Sequence, residues 1–253
     1  MSKFAEKIQR IYRGIAPAMG FRRSAEEESA PLLMVASLSK ASAGDAGGLA
    51  AAGIDAGILG IKGLSAKSFA QLAEAVGYIP LGISLESAEK DTVAKSIDIG
   101  CDFVVFGLKT PLEAVSKEGM GRVLKIESSL EPGLVRAING LPLSIDAVLV
   151  AGDEPAVTVE RLLIYQRFAE LLDKPLLVAL SSMITADELK GLFQAGVNGL
   201  MLPEGISAEA VADLKKAAGG LSRIAKRKTG AAALLPRLGG ELETGVEEEE
   251  EDV

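Results

Sequence analysis

The sequence predicts an α/β fold, a single (β/α)8 TIM barrel. Three observations lead there. From Pro31 onward, eight short aliphatic runs alternate with helical patterns. The starts of those runs recur every ~20–30 residues, the length of one strand, one helix and two short turns. The runs are apolar nearly throughout, as parallel strands covered on both faces require. A doubly wound open sheet is the competing architecture, but eight even units close naturally and no glycine-rich dinucleotide turn follows the first strand. No linker interrupts the alternation, so one barrel is expected over 31–222. It lies between an N-terminal helix and linker (1–30) and a low-complexity tail (223–253) that is first basic and then acidic.

Taken in order, Phe4, Ile8, Ile11, Tyr12 and Ile15 recur at helical spacing among Lys3, Lys7, Arg10 and Arg13. Ser2 to about Ile15 should therefore form a basic amphipathic helix. Such a helix admits a membrane or protein contact through residues 2–15; the plainer expectation is that it covers one end of the domain. The strands fall at Leu32–Ser37, Ala56–Ile61, Leu81–Leu85, Phe103–Leu108, Val123–Ile126, Ala147–Val150, Leu176–Ala179 and Gly199–Leu202. Between them, Ser65–Val76 carries Phe69, Leu72, Ala73 and Val76 on one stripe. Val159–Leu172 presents Leu162, Leu163, Tyr165, Phe168, Ala169 and Leu172. Thr185 with Glu188 three residues on reads as a capping box, ahead of the apolar Leu189, Leu192 and Phe193. Gly53, Gly100, Gly140 and Gly196 stand where left-handed helix ends are expected.

Composition narrows the chemistry. With 48% hydrophobic and 25% charged residues the chain is that of a globular protein, and disorder is excluded for most of it. No apolar run approaches the ~18 residues of a membrane span, and Met1–Arg10 does not read as a secretory signal. The lone Cys101 fits a reducing cytoplasm. The absence of histidine excludes Ser-His-Asp and Cys-His hydrolases, imidazole-ligated zinc and an unaided base near neutrality. The net charge of −8 is matched by the eight carboxylates between Glu241 and Asp252, a self-repelling and solvated acidic tail. Basic residues without interleaved aromatics do not point to nucleic acid.

Barrel chemistry sits at the carboxyl ends of strands. Those positions hold Ser39 and Lys40, Lys62, Glu86, Lys109, Glu127, Asp153 with Glu154, Ser181 with Ser182, and Glu204. Charge at an exposed strand end is ordinary. Glu127 opposite Asp153 or Glu154 on the adjacent strand is more specific, because paired hard oxygens suit magnesium or manganese. Lys125 lies on the same face as Glu127 and is the lysine placed within a strand; a Schiff-base aldolase would need it, or another lysine, to be buried.

Two stretches carry resemblances. Leu176–Gly205, LLVALSSMITADELKGLFQAGVNGLMLPEG, resembles the phosphate-binding end of biosynthetic barrels. Ser181-Ser182 and Pro203-Glu204-Gly205 replace its glycines there, so a degraded phosphate cradle is expected. More broadly, AAGIDAGILGIKG (Ala51–Gly63), IDIGCDFVVFGLKTPLEAV (Ile97–Val115), KIESSLEPGLVRAINGLPLSIDAVLVAGDE (Lys125–Glu154) and DKPLLVAL (Asp173–Leu180) resemble the metal-dependent pyruvate aldolase and citrate lyase beta family. The resemblance implies a TIM barrel, reversible carbon–carbon cleavage, a Mg or Mn ion held by Glu127 and by Asp153 or Glu154, and a small carboxylate or keto-acid substrate. Lys62 or Lys109 would bind that substrate's carboxylate, and Glu86 or Glu204 would be a candidate proton carrier. The sequence departs from the family at Lys62-Gly63 and at Gly82-Ile83-Ser84, where an acidic-histidine pair and an arginine are expected. A catalytically silent barrel that binds or scaffolds is therefore the alternative expectation.

Overall fold

The computed structural model describes residues 2–13, 31–61, 64–85, 99–116, 119–152 and 155–221. Eight parallel strands close in sequence order, β1-β2-β3-β4-β5-β6-β7-β8, with β1 also pairing β8. They are β1 (Leu33–Ser37), β2 (Ala56–Gly60), β3 (Leu81–Ser84), β4 (Phe103–Gly107), β5 (Gly121–Ile126), β6 (Ala147–Val150), β7 (Leu176–Ala179) and β8 (Gly199–Leu202). Among the described residues the α-helices are α1 (Lys3–Arg13), α2 (Ala43–Ala51), α3 (Ala66–Val76), α4 (Pro132–Ala137), α5 (Val159–Leu171), α6 (Ala186–Gln194) and α7 (Ala208–Gly219). Strand positions agree with the sequence to within one residue at each end, except that β5 begins two residues earlier. The regular alternation lapses after β4, where a single 3-10 turn, Leu112–Val115, replaces an α-helix.

Alternation along each strand separates two cores. Outward side chains such as Met34, Leu59, Ile83, Phe106, Leu124, Val148, Val178 and Leu200 pack beneath the helices. Inward ones, among them Leu33, Val35, Ala56, Ile58, Phe103, Val105, Val123, Ala147, Leu149 and Leu177, fill the barrel. The helix stripes follow suit. Phe69, Leu72 and Val76 are buried on α3, and Leu189, Leu192 and Phe193 on α6, whose capping box forms as expected. On α5 Tyr165, Phe168 and Leu172 are buried and Leu162 and Ala169 pack against the core as expected, but Leu163 is exposed and Arg161 joins the buried residues. Gly53, Gly100 and Gly196 have positive φ. Gly140 does not; it ends a short 3-10 helix, while Gly77 takes the left-handed conformation that closes α3.

The helix α1 covers the amino-terminal end of the barrel, the plainer of the expectations. Small inward residues leave a hole there, and Phe4 and Ile8 fill it as part of the inner core. Phe4 stacks on Phe103 with ring centroids 4.1 Å apart. Two glycines make the seat. A Cβ at Gly82 would overlap the Phe103 ring, and one at Gly121 would fall 2.6 Å from Ser2 Oγ. Asp102 anchors the helix start, accepting from the Ser2 hydroxyl (2.7 Å) and from the Lys3 and Phe4 amides (2.9 and 2.8 Å). A carboxylate at a helix amino end is favoured by the unpaired N–H groups and the helix dipole. Lys3, Glu6, Arg10 and Arg13 face outward. Ile15 and the linker to 30 lie outside the described residues, as does the tail.

A recurring device sets the strand register. Each even-numbered strand is preceded by Asp or Asn: Asp55, Asp102, Asp146 and Asn198. The backbone N–H of each donates to a carbonyl at the start of the preceding strand, Met34, Leu81, Arg122 and Leu176 respectively. At three of the four, the side chain accepts the N–H of that same residue: Met34 (2.9 Å), Arg122 (2.8 Å) and Leu176 (3.0 Å). Asp102 alone turns its carboxylate to α1 instead.

Candidate functional site

The carboxyl-terminal mouth is lined on its inner face by the last inward positions of the strands. Ser37, Gly60, Ser84 and Gly107 continue the inward rows of Val35, Ile58, Gly82 and Val105, and Lys125 continues that of Val123. The inward positions at this level of β1 to β4 are thus all small. Among the described residues Lys125 is the one charged side chain that a strand directs inward; the other strand charge, Arg122, faces out and donates its Nε–H to the Val115 carbonyl at 2.6 Å. Lys125 lies laterally between Gly107 on β4 and Leu149 on β6, and is partly buried. The hydroxyls at the opposite rim are tied to backbone: Ser39 Oγ accepts the Gly60 N–H at 2.7 Å and lies 3.5 Å from Ser37 Oγ.

The expected site residues divide as follows. Glu127, directly after β5 and two positions beyond Lys125, is exposed at the mouth. Lys109 is exposed in the turn that follows β4. Lys62, Glu86, Asp153 and Glu154 lie outside the described residues. Beside Glu127, β6 ends with the Ala151 N–H donating to the Ile126 carbonyl at 2.9 Å, and Asp153 is two residues further along the chain. Among the described residues no group of three or more Asp, Glu or Cys gathers in a metal-binding cluster.

Two features escaped the sequence reading. Arg161, on the first turn of α5, is buried beside Gly152 and Ser182, and its Nη1 donates to the Tyr165 hydroxyl at 3.3 Å. Its signal was its place four and seven residues before Tyr165 and Phe168, on the buried stripe. The second is the pairing of Lys40, after β1, with Glu204, after β8, at 2.6 Å; hydrogen bonding to that carboxylate holds the lysine above its ordinary value. Glu204 is thus neutralised where the phosphate cradle was expected to be degraded. Ser182, in the other half of that cradle, gives its hydroxyl to the Pro155 carbonyl.

No protein-family model matches the sequence, and no curated protein matches it. Solved structures do. N-(5'-phosphoribosyl)anthranilate isomerase from Pyrococcus furiosus is similar with a TM-score of 0.59 at 13% identity, over 75% of this chain and 100% of that one. Orotidine 5'-phosphate decarboxylase from Pyrococcus horikoshii OT3 has a TM-score of 0.58 at 15% identity, over 75% and 100%. The likeness is one of fold. FabK from Thermotoga maritima has a TM-score of 0.51 at 16% identity, over 67% of this chain, which spans 57% of that protein's length. These neighbours share the TIM barrel and have different activities by name. Among the described residues no helix is long and apolar enough to cross a membrane.

Proposed function

We propose that the chain is a barrel enzyme that works at its carboxyl-terminal mouth on a small keto or carboxylic acid, with aldolase-like carbon–carbon cleavage as its reaction. The observation that carries this is Lys125, the charged side chain that a described strand directs into a mouth whose inward positions are serine or glycine on β1 to β4 and apolar on β6 to β8. Such a substrate presents a carboxylate and develops an enolate oxygen as the bond breaks, and a fixed ammonium answers either charge. Lys109 and Lys62 are the further cations of the proposal, for the substrate carboxylate, and Glu86 its proton carrier. Glu127 is a described oxygen donor at the same rim, and Asp153 or Glu154 would complete a set suited to Mg or Mn. A hard cation held there would supply Lewis acidity to the substrate oxygens. The chain's own part is to bind the acid against Lys125 and to keep water from the apolar floor formed by Val35, Ile58, Val105 and Val123.

The test is retro-aldol cleavage of a panel of hydroxy-keto acids, assayed with magnesium, with manganese and with neither. Replacing Lys125 by Met should lower turnover by about 10²–10³, the usual effect of losing one preorganised charge-stabilising group. Borohydride trapping separates roles for that lysine: a covalent adduct means a Schiff base, its absence an electrostatic one. Manganese should raise the melting temperature of the wild type and not of Glu127→Gln if the rim holds a metal. If no acid is cleaved above the protein-free rate, the barrel is a non-catalytic binding protein, the reading that a chain without histidine favours.

A further inference from the structure

A groove of about 480 Å³ lies between the turn after β1 and the turn after β8, and reaches Ser37 at the rim of the mouth. That volume is within the range of small-molecule sites. Its apolar wall is formed by Ala41, Leu49 and Ile206, and Gly44 and Gly48 leave the space open. A Cβ at Gly48 would come only within 3.9 Å of its nearest neighbour, so the room is real on that side.

Three charged side chains line the groove. Asp45 is committed to the start of α2, where its carboxylate accepts the Ser42 N–H (3.1 Å) and hydroxyl (2.7 Å), bonds that hold it below the ordinary carboxylate range. The other two, Lys40 and Glu204, meet each other at 2.6 Å with side chains 83% and 52% exposed. A pair so open to water is weak and easily exchanged. Lys40 is therefore the cation of the groove, and Glu204 the carboxylate that occupies it.

We propose that this groove binds a small monocarboxylate with a short aliphatic chain, whose carboxylate takes the place of Glu204 on Lys40 while its chain lies against Ala41, Leu49 and Ile206. Glu204 and Asp45 disfavour inorganic phosphate and other polyanions. Occupancy of the groove is read without turnover, so its test does not depend on the reaction proposed at the mouth.

The experiment is an amide-shift titration of the full chain by NMR with butyrate, hexanoate and inorganic phosphate. Hexanoate should saturate, bind more tightly than butyrate, and shift the amides of Gly44, Gly48, Gly205 and Ile206. Lys40→Met should weaken it by about tenfold or more. Glu204→Gln should tighten it by about threefold, because the internal competitor is gone. Lys125→Met should leave it unchanged. Both groove side chains are exposed, so the variants keep the fold, and unchanged spectra elsewhere will show it. Lack of saturation, wild-type binding by Lys40→Met, weaker binding by Glu204→Gln, or a preference for phosphate would each overturn the proposal.

Discussion

Replacing Phe4 by Ala tests whether α1 is part of the barrel core or a dispensable cover. The ring is 1% exposed, stacks on Phe103 and floors a small apolar cavity bounded by Val35, Ile58, Val105, Val123 and Leu149. Truncating a buried phenylalanine costs about 3–5 kcal/mol, from lost transfer energy and the cavity left behind. In a domain of this size each kcal/mol moves Tm by about 2–4 °C, so a fall of roughly 6–20 °C is expected. The loss has a ceiling, because α1 can undock as a unit once its cost exceeds the docking free energy. A chain lacking residues 1–15 supplies that ceiling. Urea denaturation followed by far-UV circular dichroism, fitted with a common slope, gives both values. Gly121→Ala should approach the same ceiling from the other side, since its Cβ would meet Ser2 Oγ at 2.6 Å and Phe103 Cβ at 2.9 Å. A loss below about 1 kcal/mol for Phe4→Ala, with the shortened chain equally stable, would refute the account and leave α1 available to a membrane or a partner.

Burial raises the Asp146 carboxyl above its ordinary value, against the pull of the Arg122 N–H and of the Arg122 and Lys174 charges. Its contribution to stability is therefore full below the unfolded value of about 4 and is lost as pH rises through the folded value. Asn198 performs the same backbone task with an amide, so Asp146→Asn should remove that pH dependence and be no less stable at pH 7, as urea midpoints from pH 4 to 7 will show. Thr185→Ala should cost about 1 kcal/mol through loss of the α6 cap. The Thr185 N–H and hydroxyl hold the Glu188 carboxyl low, so this cost should be present above about pH 4.5 and shrink as pH falls through the folded value, in the same titration. Gly152→Ala should destabilise by about 1–3 kcal/mol or more, because its Cβ would overlap the Ala179 carbonyl oxygen. Gly133→Ala, with no neighbour nearer than 3.8 Å, should instead gain about 0.5–1 kcal/mol in α4.

The strands were legible because both faces of each are covered, so nothing polar interrupts the runs. The start of β5 was hidden by Gly121 and Arg122, a glycine set by the docking of Ser2 and an arginine that reaches the Val115 carbonyl. Strand alternation alone puts Lys125 and Glu127 on one face, so the centre of the mouth could be read from the chain. The Lys40–Glu204 pair could not, because its members are 164 residues apart and meet only through closure of β8 on β1. Arg161 was missed for a different reason. A periodic search for apolar residues passes over a cation, and it admitted the exposed Leu163 to the stripe. The glycine signal failed at Gly140 because the segment before it ends as a 3-10 turn, which needs no left-handed residue.

The diversion of Asp102 has a consequence for how the chain is made. The residues that hold the first turn of α1 lie 98–100 positions downstream of it, and its ring partner Phe103 comes later still. At roughly 5–20 residues per second, a ribosome needs on the order of 5–20 s to deliver them after Ser2 to Phe4 has been synthesised. For that interval the apolar face of an eleven-residue helix has no seat, and a peptide so short is marginal in water. The amino-terminal segment therefore has no native partner for its apolar face until Asp102 and Phe103 have been made. Its seat is completed later still, because the inner core that Phe4 and Ile8 join includes Ala147 and Leu149 of β6 and Leu177 of β7.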